Sequence, residues 1–347
     1  MSGRGHRWRA GASKAFAAAL LLVAISVPAA LAFPAEPAAG LPAESPGGEV
    51  RCAPESEFPQ AAAVAAVPAA LPYRVFVPNL TRVETPPEPR SGGLLALQSR
   101  LQRLVDESPI AGRFAVAVTD LQTNETVGVG LDRRQLAGCL ANLFAIVAAL
   151  RDVDAGFTPL ENVDATIRQT IWASDAAAAR ILYESVGRGD TVAGVLRVAA
   201  LYDQLGMLSS VLDHPPAFPE LSLGVSDGNF VTARELNHAL AVLYSGGLLS
   251  PALTDYLLEA MRGVKPGLNC LTAVLPEPAV VSHKNGFFWT PEGWVDNDMA
   301  IVHFGEALEH GYSISFLSEA VPDLYADIPL GQAIVFEAWA YFSAAYP

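Results

Sequence analysis

The chain has 347 residues, 51% of them hydrophobic, and carries 22 Lys and Arg against 36 Asp and Glu, a formal net charge of −14. The apolar fraction is enough for a large core. The acidic balance excludes nucleic acid and anionic membrane surfaces as natural partners.

Arg4, Arg7, Arg9 and Lys14 precede an apolar run from Ala15 to Ala29, and Ala30-Leu31-Ala32 fits the small-x-small rule for signal cleavage. Residues 1–32 are expected to be a signal peptide cut after Ala32, making the protein secreted or extracytoplasmic, with no membrane span after cleavage. An uncleaved anchor is the rival reading, but the run is short against a span of about 20 residues and Pro28 sits near its end. Cleavage leaves 18 Lys and Arg, a charge of about −18, and only Lys265 and Lys284 as lysines.

Residues 33–92 hold twelve of the 26 prolines among Ala and Glu. Such a stretch buries too little apolar surface to offset its ordering entropy, so it reads as a disordered spacer. Tyr73 to Val77 is a short apolar segment within it. Of the three cysteines, Cys52, Cys139 and Cys270, an odd number leaves one thiol over. Cys52–Cys270 is the pairing we consider first, although sequence does not fix connectivity.

The folded domain is expected over residues 93–347. Leu94, Leu97, Leu101 and Leu104 repeat at helical steps. Phe114–Val118 and Thr126–Val129 flank Gln122-Thr123-Asn124 as a hairpin. Cys139 to Leu150 is apolar on nearly every side, a helix buried all round. Helices follow at Asp175–Val186, closed by Gly187, and Thr191–Leu205, closed by Gly206. Thr232 with Glu235 forms a capping box, and Ser250-Pro251 opens another helix that Gly263 stops. Three strands come late, at Ala279–Lys284, Met299–Phe304 and Tyr312–Leu317, before a last helix from Leu330 to Phe342. This order predicts an α/β (α+β) three-layer sandwich: a five-stranded antiparallel sheet flanked by helices, plus an all-helical lobe.

Three short segments carry chemistry. Cys139 and Asn142 lie three residues apart where a helix begins, so they share a face. A helix N-terminus favours a thiolate and offers N–H groups to an anion. A small buried cysteine beside a polar residue gives the same pattern. Ser174-Asp175-Ala176 places Ser174 as N-cap of the next helix. His283-Lys284-Asn285-Gly286 ends an apolar strand, where Asn-Gly is ordinary turn chemistry, yet a lysine at a strand edge beside glycine suits a carboxylate.

In that order, the three segments resemble the class A β-lactamase and penicillin-binding-protein family of serine hydrolases, whose signature is S-x-x-K, S-D-N, K-T-G. The likeness covers Gly93 to the C-terminus. It implies the β-lactamase/transpeptidase-like fold and no cofactor. It puts Cys139 at the nucleophilic serine and Asn142 at the proton-accepting lysine. Ser174 falls at the proton-shuttling serine, Asp175 at its own position and Ala176 at the amide-binding asparagine. Lys284, Asn285 and Gly286 fall on the strand motif, and the N–H groups of Cys139 and Phe287 on the oxyanion hole. The catalytic set is thus Cys139, Ser174 and Lys284, with Asn142, Asp175, Asn285, Gly286 and Phe287 as substrate-binding residues.

The departures point to a degenerate site. An amide such as Asn142 accepts no proton. The segment from Leu212 to Gly228 has Glu220-Leu221 but not the E-x-x-L-N pattern that hydrolyses an acyl-enzyme. His214, His238 and His303 are the other candidate bases and show no metal-ligand spacing. His283 neighbours Lys284 on a strand, so it points to the opposite face. Three readings stay open: a catalytically impaired domain binding a cell-wall or peptide-like ligand, a thiol hydrolase or acyltransferase on β-lactam or peptide-like amides, and an extracellular interaction module. A monomer is expected.

Overall fold

The computed structural model describes residues 93–265, 268 and 271–346. The expected signal peptide, the spacer with Tyr73–Val77, and the Cys52–Cys270 pairing lie outside the described residues.

The first helix, α1 (Gly93–Asp106), buries Leu94, Leu97 and Leu101, as its spacing requires. It leads into the hairpin of β1 (Arg113–Asp120) and β2 (Thr126–Val129), where Val118 pairs with Val127. A two-residue strand β3 (Gln135–Leu136) and a single 3-10 turn, Gly138–Ala141, then deliver the chain to α2 (Asn142–Asp154). The helix is buried from Asn142 through Leu150, so it forms the centre of a lobe rather than its surface.

Around α2 the chain winds α3 (Asp164–Trp172), α4 (Ala176–Val186) and α5 (Thr191–Gln204). Asp152 of α2, almost wholly buried, takes Arg197 at 2.9 Å and Arg188 at 3.1 Å, which ties α5 and the α4–α5 turn to the central helix. Strand β4 (Phe230–Val231) pairs with β3, and α6 (Ala233–Tyr244) and α7 (Pro251–Arg262) close the lobe. Thr232 caps α6 by accepting from Glu235 N–H, the arrangement that its capping box predicts.

Three long strands follow: β5 (Val280–Thr290), β6 (Gly293–Phe304) and β7 (His310–Glu319), then α8 (Ile328–Ala345). The sheet order is β2-β1-β7-β6-β5, antiparallel throughout, with β5 at the edge. Alternation divides it between two cores. Ala115, Ala117, Met299 and Ile301 face the helical lobe, whereas Val116, Val118, Ala300 and Val302 face α1 and α8. This is the expected three-layer sandwich with a helical lobe. No described helix is long and apolar enough to cross a membrane.

Four expectations need correction. Helix α3 is absent from the sequence reading, because Thr166, Ile167, Thr170 and Ile171 blur its helical signal with β-branched residues. The pairing of β3 with β4 also escapes it, since two residues carry no periodicity. Asn285-Gly286 is not a turn: β5 runs straight through it and reverses at Thr290–Gly293 instead. Finally, the N-cap of α4 is Asp175 rather than Ser174, its carboxylate accepting from Ala177 and Ala178 N–H.

Asp327, at the start of α8, is fully buried and neither of its carboxylate oxygens has a hydrogen-bond partner. Burial lifts its pKa to about 6. The folded value exceeds the ordinary one of about 3.9, so the stability conferred by the protonated form is complete below about pH 4 and is lost as pH rises through about 6. Asp327→Asn, neutral at every pH, is expected to raise the unfolding free energy at pH 7.5 by about 2 kcal/mol and to change little at pH 4. Urea melts at the two pH values provide the measurement.

Candidate active site

Cys139 sits on the 3-10 turn that precedes α2, half-buried, with a free thiol. The turn lies flush against β5. A Cβ built on Gly286 falls 2.6 Å from the Cys139 backbone nitrogen and 2.9 Å from that of Leu140. Two residues on, the Phe288 ring stands 3.2 Å from the Cβ position of Gly138. Glycine at 286 is therefore a steric requirement. The backbone segments of Cys139 and Phe287, expected to supply the oxyanion donors, belong to these two abutting elements.

Lys284 precedes this contact and is fully buried. Its Nζ donates to Ser174 Oγ at 2.6 Å and also to the Asn285 carbonyl, while Ser174 Oγ donates to the same carbonyl at 3.1 Å. Burial pushes the amine down to about 8, against the opposing pull of the Cys139 and Asp298 charges. Ser174 reaches Lys284 because its backbone takes a left-handed conformation, φ +53°. With Asp175 acting as the cap, the serine hydroxyl is left for the cleft.

The expected residues thus separate into groups. Cys139, Gly286, Lys284 and Ser174 come together where the helical lobe meets the edge strand. Asn142 is fully buried on the first turn of α2, and neither its Oδ1 nor its Nδ2 has a hydrogen-bond partner. Asp175 is spent on capping α4 and on Gln169, 3.2 Å from its Oδ2. Asn285 lies directly opposite Asp298 in the strand register, so its side chain leaves the rear of the sheet and only its carbonyl serves the cleft. This corrects the expectation of a substrate-binding side chain at Asn285. The reason is the continuation of β5, which preserves two-residue alternation where a turn would have broken it.

None of the candidate histidines joins this group. His214 is held within its loop by Pro215 and Asn229, His238 is exposed on α6, and His303 packs at a tilt against Tyr244. His283 points to the rear, as alternation requires, and shares a hydrogen bond of 3.1 Å with Asp298. The loop from Leu212 to Gly228 is organised by Asp213, whose carboxylate accepts from Val225 N–H, Ser226 N–H and Ser222 Oγ. Burial works to raise Asp213, but these hydrogen bonds outweigh it and hold the carboxyl below its ordinary range. Glu220 of that loop is exposed. Among the described residues no group of His, Cys, Asp or Glu is placed to hold a metal ion.

Residues 162–323 match the model of the β-lactamase enzyme family. Over that stretch the domain is similar to the family. Solved structures share the fold: the match with the TLA-3 extended-spectrum β-lactamase (18% identity, TM-score 0.62) covers 72% of this chain and 99% of that one. PBP-A (20%, 0.59) covers 72% and 97%, and a class A β-lactamase from Bacteroides cellulosilyticus (20%, 0.59) covers 72% and 97%. Among curated proteins none matches the sequence significantly.

In this β-lactamase-like domain the seam at Gly286 leaves no room for a side chain. Gly286→Ala would drive a methyl group into backbone atoms, which no rotamer change relieves. It is expected to destabilise the fold by about 1–3 kcal/mol, read as a lowered denaturation midpoint.

Proposed function

We propose that this exported β-lactamase-like domain is catalytically impaired and uses its cleft to bind a carboxylate-bearing cell-wall or peptide-like ligand. Asn142 carries the reading. Where acylation needs a base beside the nucleophile, the domain has a buried neutral amide, and an amide takes no proton at any ordinary pH. Lys284 and Ser174 remain hydrogen-bonded beside the turn, a cation and a hydroxyl suited to an anionic group. In the 212–228 loop Glu220 is turned to solvent and the Asp213 carboxylate is engaged by Ser222, Val225 and Ser226.

One PBP-A structure is an acyl-enzyme complex with penicillin G, which makes penicillin the natural probe. The purified protein is expected to leave a chromogenic cephalosporin intact over hours and to gain no mass on incubation with penicillin G. The Cys139→Ser, Asn142→Lys double variant supplies a hydroxyl and a base together. It is expected to gain the mass of one whole penicillin, because ring opening expels no leaving group. Steady turnover of the cephalosporin that Cys139→Ala abolishes would overturn this reading.

A second reading, a thiol hydrolase or acyltransferase, draws on one observation: the free Cys139 heads a buried helix next to Lys284. Cysteine needs a neighbouring base less than serine does, because it carries appreciable thiolate near neutral pH. On this reading Cys139 reacts with iodoacetamide at pH 6 faster than a model thiol and loses that excess in Lys284→Met. Labelling at the model rate rejects it.

A further inference from the structure

We infer that Asn297, in the middle of β6, is a positioning residue for Cys139. Together with Glu319 of β7 it fixes the backbone that enters the Cys139 turn, and so sets where the thiol and its backbone N–H stand against β5. The effect on acylation rests on the reading above; the positioning itself does not.

The short strand β3 has one pairing among the described residues, with β4. Leu136 stands opposite Phe230 in that pair, and the neighbouring Ala137 N–H donates to the Asn229 carbonyl at 2.9 Å. Alternation then turns the N–H and carbonyl of Leu136 itself away from β4, toward the five-stranded sheet. Side chains of that sheet take them up. Leu136 N–H donates to Glu319 Oε1. Asn297 Nδ2 donates to the Leu136 carbonyl at 2.7 Å and reaches on to the Ala137 carbonyl at 3.4 Å. A side-chain amide and a carboxylate thus stand in for a missing strand.

Both side chains are themselves held. Asn297 is fully buried, and its Oδ1 accepts from Ser318 N–H at 2.9 Å. With an N–H on one side and two carbonyls on the other, only one orientation of the amide satisfies every partner. Glu319 Oε2 accepts from Arg113 Nε at 3.1 Å and Nη2 at 2.9 Å, which leaves Oε1 for Leu136. Gln135 Nε2 donates to the Arg113 carbonyl at 2.7 Å, tying the preceding residue of β3 to β1 as well.

The clamp leads directly into the turn. The Ala137 carbonyl that Asn297 reaches also accepts from Leu140 N–H at 3.2 Å, so the turn closes on an oxygen that the sheet already holds. Between them Gly138 takes a left-handed conformation, φ +53°, and Cys139 follows. Asn297 lies opposite Gly286 in the register of β5 with β6. The turn is therefore limited from two sides: Gly286 stops its approach to β5, and Asn297 ties down its entry. Removing the donors strands two carbonyls at the start of the turn, where no other side chain is bonded to them.

Two variants separate the parts of the clamp. Asn297→Leu keeps the volume and removes donors and acceptor, whereas Asn297→Asp keeps an acceptor for Ser318 N–H and removes the donors alone. In native-state hydrogen exchange followed by NMR, either variant is expected to speed the Ala137 and Leu140 amides about tenfold more than those of Ile146 in α2 and Val118 in β1. The Ser318 amide is expected to stay protected in Asn297→Asp. Equal acceleration at all four sites marks a residue that only stabilises the fold and overturns the proposal, as does an unmoved turn. If neither variant folds, the wild-type protein decides: the Asn297 Nδ2 protons are expected to be protected, and exchange at the rate of a free amide overturns the proposal. Added to Cys139→Ser, Asn142→Lys, Asn297→Leu is expected to lower the limiting rate of mass gain with penicillin G about tenfold at an unchanged half-saturation concentration. An unchanged limiting rate beside a loosened turn overturns the link to Cys139. A parent double variant that gains no mass counts against the reading of the cleft instead, and the exchange pattern alone then decides the positioning.

Discussion

The junction between lobe and sheet depends on one buried amine. Lys284 is fully buried, and an unpaired ammonium in that position is not sustainable. Its partners come from both sides of the junction: Ser174 from the helical lobe and the Asn285 carbonyl from the sheet edge. Removing either would leave a desolvated charge, so the amine adds a polar tie to those that Asn237 makes with Thr119, Ser313 and Ser315 and Ser282 makes with the Leu258 carbonyl. The left-handed backbone at Ser174 and the bare Cα at Gly286 follow from this, because both are conditions for the strand and the lobe to approach closely enough.

The buried amide of Asn142 has a physical effect whatever its chemical role. A fully buried amide with neither end satisfied costs on the order of 1–3 kcal/mol relative to a hydrogen-bonded one. The fold carries that penalty at the head of its central helix without losing the helix, since the surrounding residues from Leu143 to Leu150 are buried apolar groups. Architecture and site are thus held by different residues, and the fold is shared with solved structures at 18–20% identity.

Where a segment's own pattern decided its structure, the sequence was readable. The leucine repeat of α1, the apolar run of α2, the capping box of α6 and the β1–β2 hairpin each carry their signal within a dozen residues. The order of those elements was enough to predict the layered sheet and the helical lobe. Features set by distant partners were not readable. Asn285-Gly286 has local turn chemistry, but eleven consecutive register pairs with β6 keep it extended. Whether Ser174 or Asp175 caps α4 is a choice between adjacent good caps, settled by what Lys284 requires of the serine. The same holds for the site itself. Cys139, Ser174, Lys284 and Gly286 could be picked out as motif positions, whereas the rear-facing side chain of Asn285 needs the true hairpin turn before the register can be counted.

The contact at Gly286 has a mechanical consequence. Most lobes in proteins meet through side chains, and that layer yields by small rotamer adjustments when one body shifts against the other. Here backbone rests on backbone, so there is no cushion. A shift of the Cys139 turn toward β5 therefore meets backbone atoms at once, with no side chain between them to absorb it.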